Sequence, residues 1–171
     1  MSVLIVYYSR KGENYVNGEV QFLKKGNTEI VAEFIHKAVG GDIFQVDTVE
    51  PYSEDYYECI NEAQREQHAD ARPEVKQFVE DISKYQTIFV GYPNWWGMMP
   101  MCMCTFLEHY DFTGKTIIPF CTHEGSGMGS SEMQLLRLCK GANIYSGLAI
   151  HGAEASESEV QVASWAKMNV Y

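Results

Sequence analysis

Thr87-Ile88-Phe89-Val90-Gly91-Tyr92 runs directly into Pro93-Asn94-Trp95-Trp96-Gly97. The first six residues form an apolar, β-rich run of the kind that fills a strand buried on both faces of a parallel sheet. Residues 93–97 then make a turn-forming loop with two adjacent indoles, placed where such a strand ends. A lone Trp there would read as an ordinary core residue. Two consecutive side chains, however, cannot both point inward. Packing one indole against the core drives its neighbour to the surface, where an exposed indole is usually a contact, and a flat ring is the natural occupant. Gly97 lets a backbone carbonyl approach that ligand closely.

Outward from this segment, similar runs occur at Ser2–Tyr8, Asp42–Val46, Lys115–Cys121 and about Ile144–Ile150, which with Thr87–Tyr92 predicts five strands. Between them lie stretches of helical period. In the clearest, Ile30, Val31, Phe34, Ile35 and Ala38 make one apolar stripe, Asn27 or Thr28 can cap its start, and Gly40-Gly41 stops it. Tyr52–His68, Pro73–Ile82, Pro100–Tyr110, Ser131–Cys139 and Glu157–Met168 supply further helical segments. Strands alternating with helices imply right-handed parallel crossovers and an open α/β sheet clothed on both sides, with ligands bound beyond the carboxyl ends of the strands. Function is therefore expected after strands one, three and four.

Strand one ends at Tyr8-Ser9-Arg10, yet its helix starts only at Gly26-Asn27-Thr28, where a βα connection normally takes about 2 to 6 residues. The insertion reads as a β-hairpin flap: Asn14-Tyr15-Val16 and Glu19-Val20-Gln21-Phe22 flank Asn17-Gly18, whose residues tolerate positive φ at both turn positions. With the flap folded away, Ser9 returns to Gly26-Asn27-Thr28, and hydroxyls meet free backbone N–H groups at a helix N-terminus. That is an anion site, with charge support from Arg10 or Lys11. A plain capped helix is the competing reading. A single phosphate loop over Ser9–Asn14 is disfavoured because Tyr15-Val16-Asn17-Gly18 cannot start a helix. The loop after strand four, Thr122-His123-Glu124-Gly125-Ser126-Gly127-Met128-Gly129-Ser130-Ser131, exposes backbone N–H groups able to wrap the edge of a heterocycle.

Other chemistries find no support. A dinucleotide fingerprint is absent, His109 stands where a P-loop over Thr113–Thr116 needs its first Gly, and Cys121 lacks the Arg of a phosphatase loop. His123 and Glu124 have no Ser elbow or second His to make a triad. Cys102-Met103-Cys104 with His109 would splay its thiols on a helix, so no metal site and no catalytic residue is assigned. The chain has 171 residues, 46% of them apolar, enough for one domain spanning 1–171 with a full core. A net charge of -10 disfavours nucleic acid and anionic membranes and favours basic partners. The five Cys do not form a secreted disulfide framework, and Met1–Tyr8 is too short for a signal segment or a membrane span. A cytoplasmic protein is expected.

A phosphate-binding loop, an aromatic loop and a Gly-rich loop after strands one, three and four resemble the flavodoxin family over the whole chain. The pairing of Tyr8-Ser9-Arg10 and Gly26-Asn27-Thr28 with Pro93-Asn94-Trp95-Trp96-Gly97 is similar to bacterial short-chain flavodoxin-like proteins. The resemblance implies a flavodoxin-like doubly wound, five-stranded parallel sheet of order 2-1-3-4-5, here with the hairpin added after strand one. It implies FMN as cofactor: Ser9, Asn27 and Thr28 holding the phosphate, Asn94 to Gly97 lining the isoalloxazine with Trp96 stacked on it, and Thr122 to Gly127 bordering the pyrimidine edge. The implied function is electron transfer through the semiquinone and hydroquinone to redox partner proteins with basic docking surfaces. A carbonyl near Gly97 would bond the protonated ring nitrogen. Two alternatives are an NAD(P)H-dependent FMN or quinone reductase of the same fold, and a flavin-free signalling module. The hairpin and the doubled Trp depart from the common family pattern.

Overall fold

The computed structural model describes residues 2–171. In chain order its elements are β1 (Val3–Tyr7), β2 (Gly12–Val16), β3 (Glu19–Leu23), α1 (Asn27–Val39), β4 (Asp42–Gln45), α2 (Tyr56–His68) and β5 (Thr87–Pro93). Then come α3 (Met101–Glu108), β6 (Thr116–His123), α4 (Ser131–Leu138), β7 (Asn143–Ile144), β8 (Leu148–His151) and α5 (Glu159–Val170). The main sheet is parallel, in the order β4-β1-β5-β6, with β7 and β8 both pairing along the far edge of β6. This is the expected 2-1-3-4-5 order, and β2 and β3 form the separate antiparallel hairpin.

Burial reflects the alternation of a strand covered on both sides. Leu4 and Val6 of β1 point into a core layer shared with Ile88, Val90 and the α3 residues Met103 and Phe106. Val3, Ile5 and Tyr7 point the other way, against Val31 and Ile35 of α1 and Val162 and Ala166 of α5. Gly91 is required between the layers: a Cβ there would lie 2.0 Å from the Phe120 ring. No helix among the described residues is long and apolar enough to cross a membrane.

Several boundaries differ from the sequence expectations. Residues 73–82 are not a helix. Val75 bridges Thr48 in an antiparallel pair, and the 47–49 backbone exchanges hydrogen bonds with Glu74 and Lys76 at 2.9 Å, so tertiary pairing claims donors that a helix would need. Only a short 3-10 turn, Ile82–Lys84, precedes β5. α2 begins at Tyr56, not Tyr52, because the Asp55 carboxylate accepts from Glu58 N at 2.9 Å and caps it there. The cap of α1 is Gly26, without a side-chain bond; Asn27 and Thr28 are its first helical residues.

The predicted fifth strand is split, and Pro119 explains the break. Tyr145 N donates to Ile117 O at 2.9 Å, so residue 117 faces that edge, and residue 119, two positions on, faces it too. Pro119 has no N–H to offer there, and the ladder lapses between β7 and β8.

Candidate functional site

The loops after β1, β5 and β6 open on one end of the sheet and enclose a cleft of about 340 Å³, whose other walls are the hairpin and the first half of α2. At one end stands the start of α1. Ser9 reaches it from the end of β1, and its Oγ accepts the Glu29 backbone N–H at 3.1 Å. The N–H groups of Asn27 and Thr28 have no acceptor within the helix, as for every first turn. Thr28 is buried, and its hydroxyl shares a 2.7 Å hydrogen bond with that of Thr122, tying α1 to the end of β6. Gly26 lies behind this point rather than in the cleft wall: a Cβ there would sit 2.1 Å from Ser9 Oγ and 2.6 Å from Arg10 O.

Arg10 borders the cleft, with its Nε and Nη2 engaged by backbone carbonyls. Nε donates to Glu13 O at 2.9 Å, and Nη2 donates to Ser53 O at 2.9 Å and Glu54 O at 3.1 Å. It fastens the hairpin root to the segment before α2. Lys11 is exposed and outside the cleft wall.

The two indoles divide as adjacency requires. Trp95, partly buried, packs edge-on to Tyr8 at 5.3 Å and to Tyr52 at 5.1 Å while still bordering the cleft. Trp96 is 48% exposed and lines the cleft. Trp95 and Met98 exchange backbone hydrogen bonds across a two-residue turn, with Trp96 at φ 56° and Gly97 at φ 82°. Both central residues have positive φ, a geometry that favours Asn-Gly, so a bulky Trp is held there against about 1 kcal/mol of backbone preference. The surroundings fix it. Asn94 Oδ1 accepts from Gly97 N and Asn94 Nδ2 donates to Gly127 O, both at 2.8 Å; Gly97 O accepts from Ser130 N at 2.7 Å. Trp96 Nε1 donates to Ile60 O of α2 at 2.8 Å, laying the indole along that helix.

On the third side are Thr122, His123, Glu124 and Ser126; Gly125 and Gly127 shape this loop without lining the cleft. His123 Nδ1 accepts from Gly125 N at 2.9 Å, which defines its neutral tautomer. Burial, together with neighbouring His151, holds its pKa below the ordinary imidazole value. Glu124 Oε2 accepts from Asn17 N at the hairpin tip at 3.2 Å. Sequence reasoning did not anticipate the α2 wall, formed by Tyr56, Cys59, Ile60 and Ala63, nor Gly152 after β8. A Cβ at Gly152 would come within 2.5 Å of Glu124 Oε1, so that Gly was a legible sign of close packing only once its neighbours were known. Burial raises the Cys59 thiol to about 11, leaving it protonated and unreactive. The cleft therefore offers hydrogen-bond donors at one end and flat apolar surface at the other. It holds no activated nucleophile.

The cleft lies beyond the carboxyl ends of the strands of a doubly wound sheet, where ligands of such folds are bound. Residues 19–169 match the family model described as flavodoxin, and this chain belongs to the flavodoxin family. Among solved structures it is similar to a Bacteroides eggerthii DSM 20697 protein assigned as a flavoprotein, with TM-score 0.77 and 27% identity, covering 98% of this chain and 96% of that one. A second, from Bacteroides uniformis ATCC 8492, gives 0.76 and 26%, covering 97% of each chain. A Lactobacillus acidophilus NCFM flavoprotein, solved in complex with FMN, shares the fold at TM-score 0.65 and 22% identity, covering 91% of this chain and 97% of that one. No curated protein sequence matches this chain.

Proposed function

We propose that this chain binds FMN and serves as an electron-transfer protein. One observation carries the reading: a helix start with a returning hydroxyl, Ser9, and an exposed indole, Trp96, border the same cleft. The residues present fit the cofactor. Ser9, Asn27 and Thr28 would hold the phosphate, with the helix start supplying N–H groups and partial positive charge. Trp96 would lie against the isoalloxazine, and the Thr122–Ser126 segment would border its polar edge. Bound there, FMN supplies redox chemistry in one-electron steps.

The protein's contribution is placement and tuning. Asn94 holds the Trp95–Met98 turn, whose backbone would border the isoalloxazine. A carbonyl near Gly97 is the one the resemblance would set against the ring nitrogen; Gly97 O itself already accepts from Ser130 N at 2.7 Å and would have to share that bond. The net charge of -10 suits weak, salt-dependent docking to basic redox partner proteins. The five free, buried thiols suit a reducing, cytoplasmic compartment.

The decisive experiment is an absorbance spectrum of the purified protein, or of protein mixed with FMN, and then a potentiometric titration. Flavin bands and two separable one-electron steps support the carrier. A colourless protein that takes up no FMN overturns it. A second reading, an NAD(P)H-dependent reductase, draws on the extension of the cleft over α2 and the hairpin, beyond the three strand-end loops. Steady NAD(P)H oxidation by the loaded protein alone would favour it.

A further inference from the structure

The hairpin is not demanded by the sheet. A two-stranded ribbon with five-residue strands is marginal in water by itself, so its docking partners decide where it is held. Those partners are cleft residues. Glu13 Oε2 accepts from Tyr56 N at 2.8 Å, and the Tyr15 ring stacks on Tyr56 with centroids 5.8 Å apart and 22° between planes. Alternate residues of a strand share a face, so Glu13 and Tyr15 grip the same point of α2. At the far end, Asn17 N donates to Glu124 Oε2 at 3.2 Å. The flap is thus pinned to two walls of the cleft and spans the gap between them.

A flat ring has two faces, and the loops after the strands supply aromatic surface for one. Trp95 and Trp96 both come from the β5 loop, and of residues 122–131 at and after the end of β6 only His123 carries a ring, a small imidazole. Tyr15 and Tyr56 are the phenolic rings that line the cleft, and Tyr15 keeps 39% of its surface exposed. We infer that Tyr15, braced from behind by Tyr56, is the second aromatic wall of the ring site, and that the Asn17–Glu124 contact keeps it in place. The hairpin is then a binding element and not a surface ornament. This role for Tyr15 rests on the FMN reading of the cleft.

FMN titration, read by flavin fluorescence and by stopped-flow dissociation, tests it on wild type, Tyr15→Ala, Tyr15→Phe and Glu124→Ala. Tyr15→Ala is expected to raise the FMN dissociation constant about three- to tenfold and to restore part of the fluorescence that stacking quenches. Tyr15→Phe keeps the ring and should stay within about twofold of wild type. Glu124→Ala should speed FMN release. If wild type binds FMN while Tyr15→Ala matches it in affinity and fluorescence, Tyr15 is not a wall and the inference falls, with the FMN reading intact. An unchanged release rate in Glu124→Ala removes the latch. Failure of wild type to take up FMN sinks both.

Discussion

Ser9 Oγ accepts the Glu29 backbone N–H at 3.1 Å, closing the start of α1 from a residue that precedes the entire hairpin. The hydroxyl that closes the first turn of α1 is therefore also the one proposed to meet the phosphate. Ser9→Ala is expected to lower stability by about 1 kcal/mol, the usual effect of losing a cap, and to weaken FMN binding as well. Gly26→Ala should be worse, because its Cβ would sit 2.1 Å from that same oxygen. Urea midpoints and FMN titrations on both variants check the pair.

The two indoles should separate cleanly by mutation. Trp96→Ala removes a half-exposed ring and should leave stability within about 1 kcal/mol while raising the FMN dissociation constant about tenfold or more. Trp95→Ala removes packing against Tyr8 and Tyr52 and should destabilise by about 3 kcal/mol. Unchanged FMN affinity in Trp96→Ala would move the stacking role to Trp95.

The pH dependence has a defined sign at His123. Its folded pKa lies below the ordinary value, so the unfolded chain binds the proton more readily. Its contribution to stability is complete above about pH 6.5 and fades as pH falls toward the folded pKa. His123→Asn retains an acceptor for Gly125 N without the titrating group. Between about pH 7 and pH 5.5, wild type should lose stability more steeply than this variant in urea unfolding.

Tyr52 donates to Glu66 at 2.6 Å, while burial raises the Glu66 carboxyl above the usual carboxylate range. Glu66→Gln keeps an acceptor and removes the half-buried charge. It should be neutral to mildly stabilising near pH 7, and Tyr52→Phe should destabilise by about 1 to 2 kcal/mol by leaving Glu66 unpaired. Thermal melts of the two variants decide this.

All five cysteines are buried, with Cys59 and Cys104 thiols raised to about 11 and Cys121 and Cys139 to about 12 by burial. A thiol-reactive dye should label the native protein very slowly and label every cysteine in denaturant. Rapid native labelling of Cys59 would show that the α2 wall opens.

The sheet was legible because strands buried on both faces are unbroken apolar runs, and Asn17-Gly18 announced the hairpin turn unaided. Residues 73–82 misled because helical spacing is a local property, whereas the bridge from Val75 to Thr48 is not. Pro119 inside an apolar run was the available warning that the neighbouring strand would break. At the site, the three strand-end loops could be read, since chain order alone gathers them. The α2 wall could not: Cys59, Ile60 and Ala63 are ordinary helix residues until Trp96 is laid against them. Nor does spacing reveal that the Arg10 guanidinium is taken up by Glu13, Ser53 and Glu54 carbonyls.

Because Gly26 comes back against Ser9 and Arg10, the chain leaves β1 and enters α1 at a single point. Residues 11–25 form a separate two-stranded excursion on an otherwise continuous flavodoxin fold. Shortening or replacing that excursion would leave the helix start at Ser9 and Asn27 in place while removing Tyr15 and Asn17, so it should change how a ring is gripped and approached without changing the end of the cleft proposed to take the phosphate.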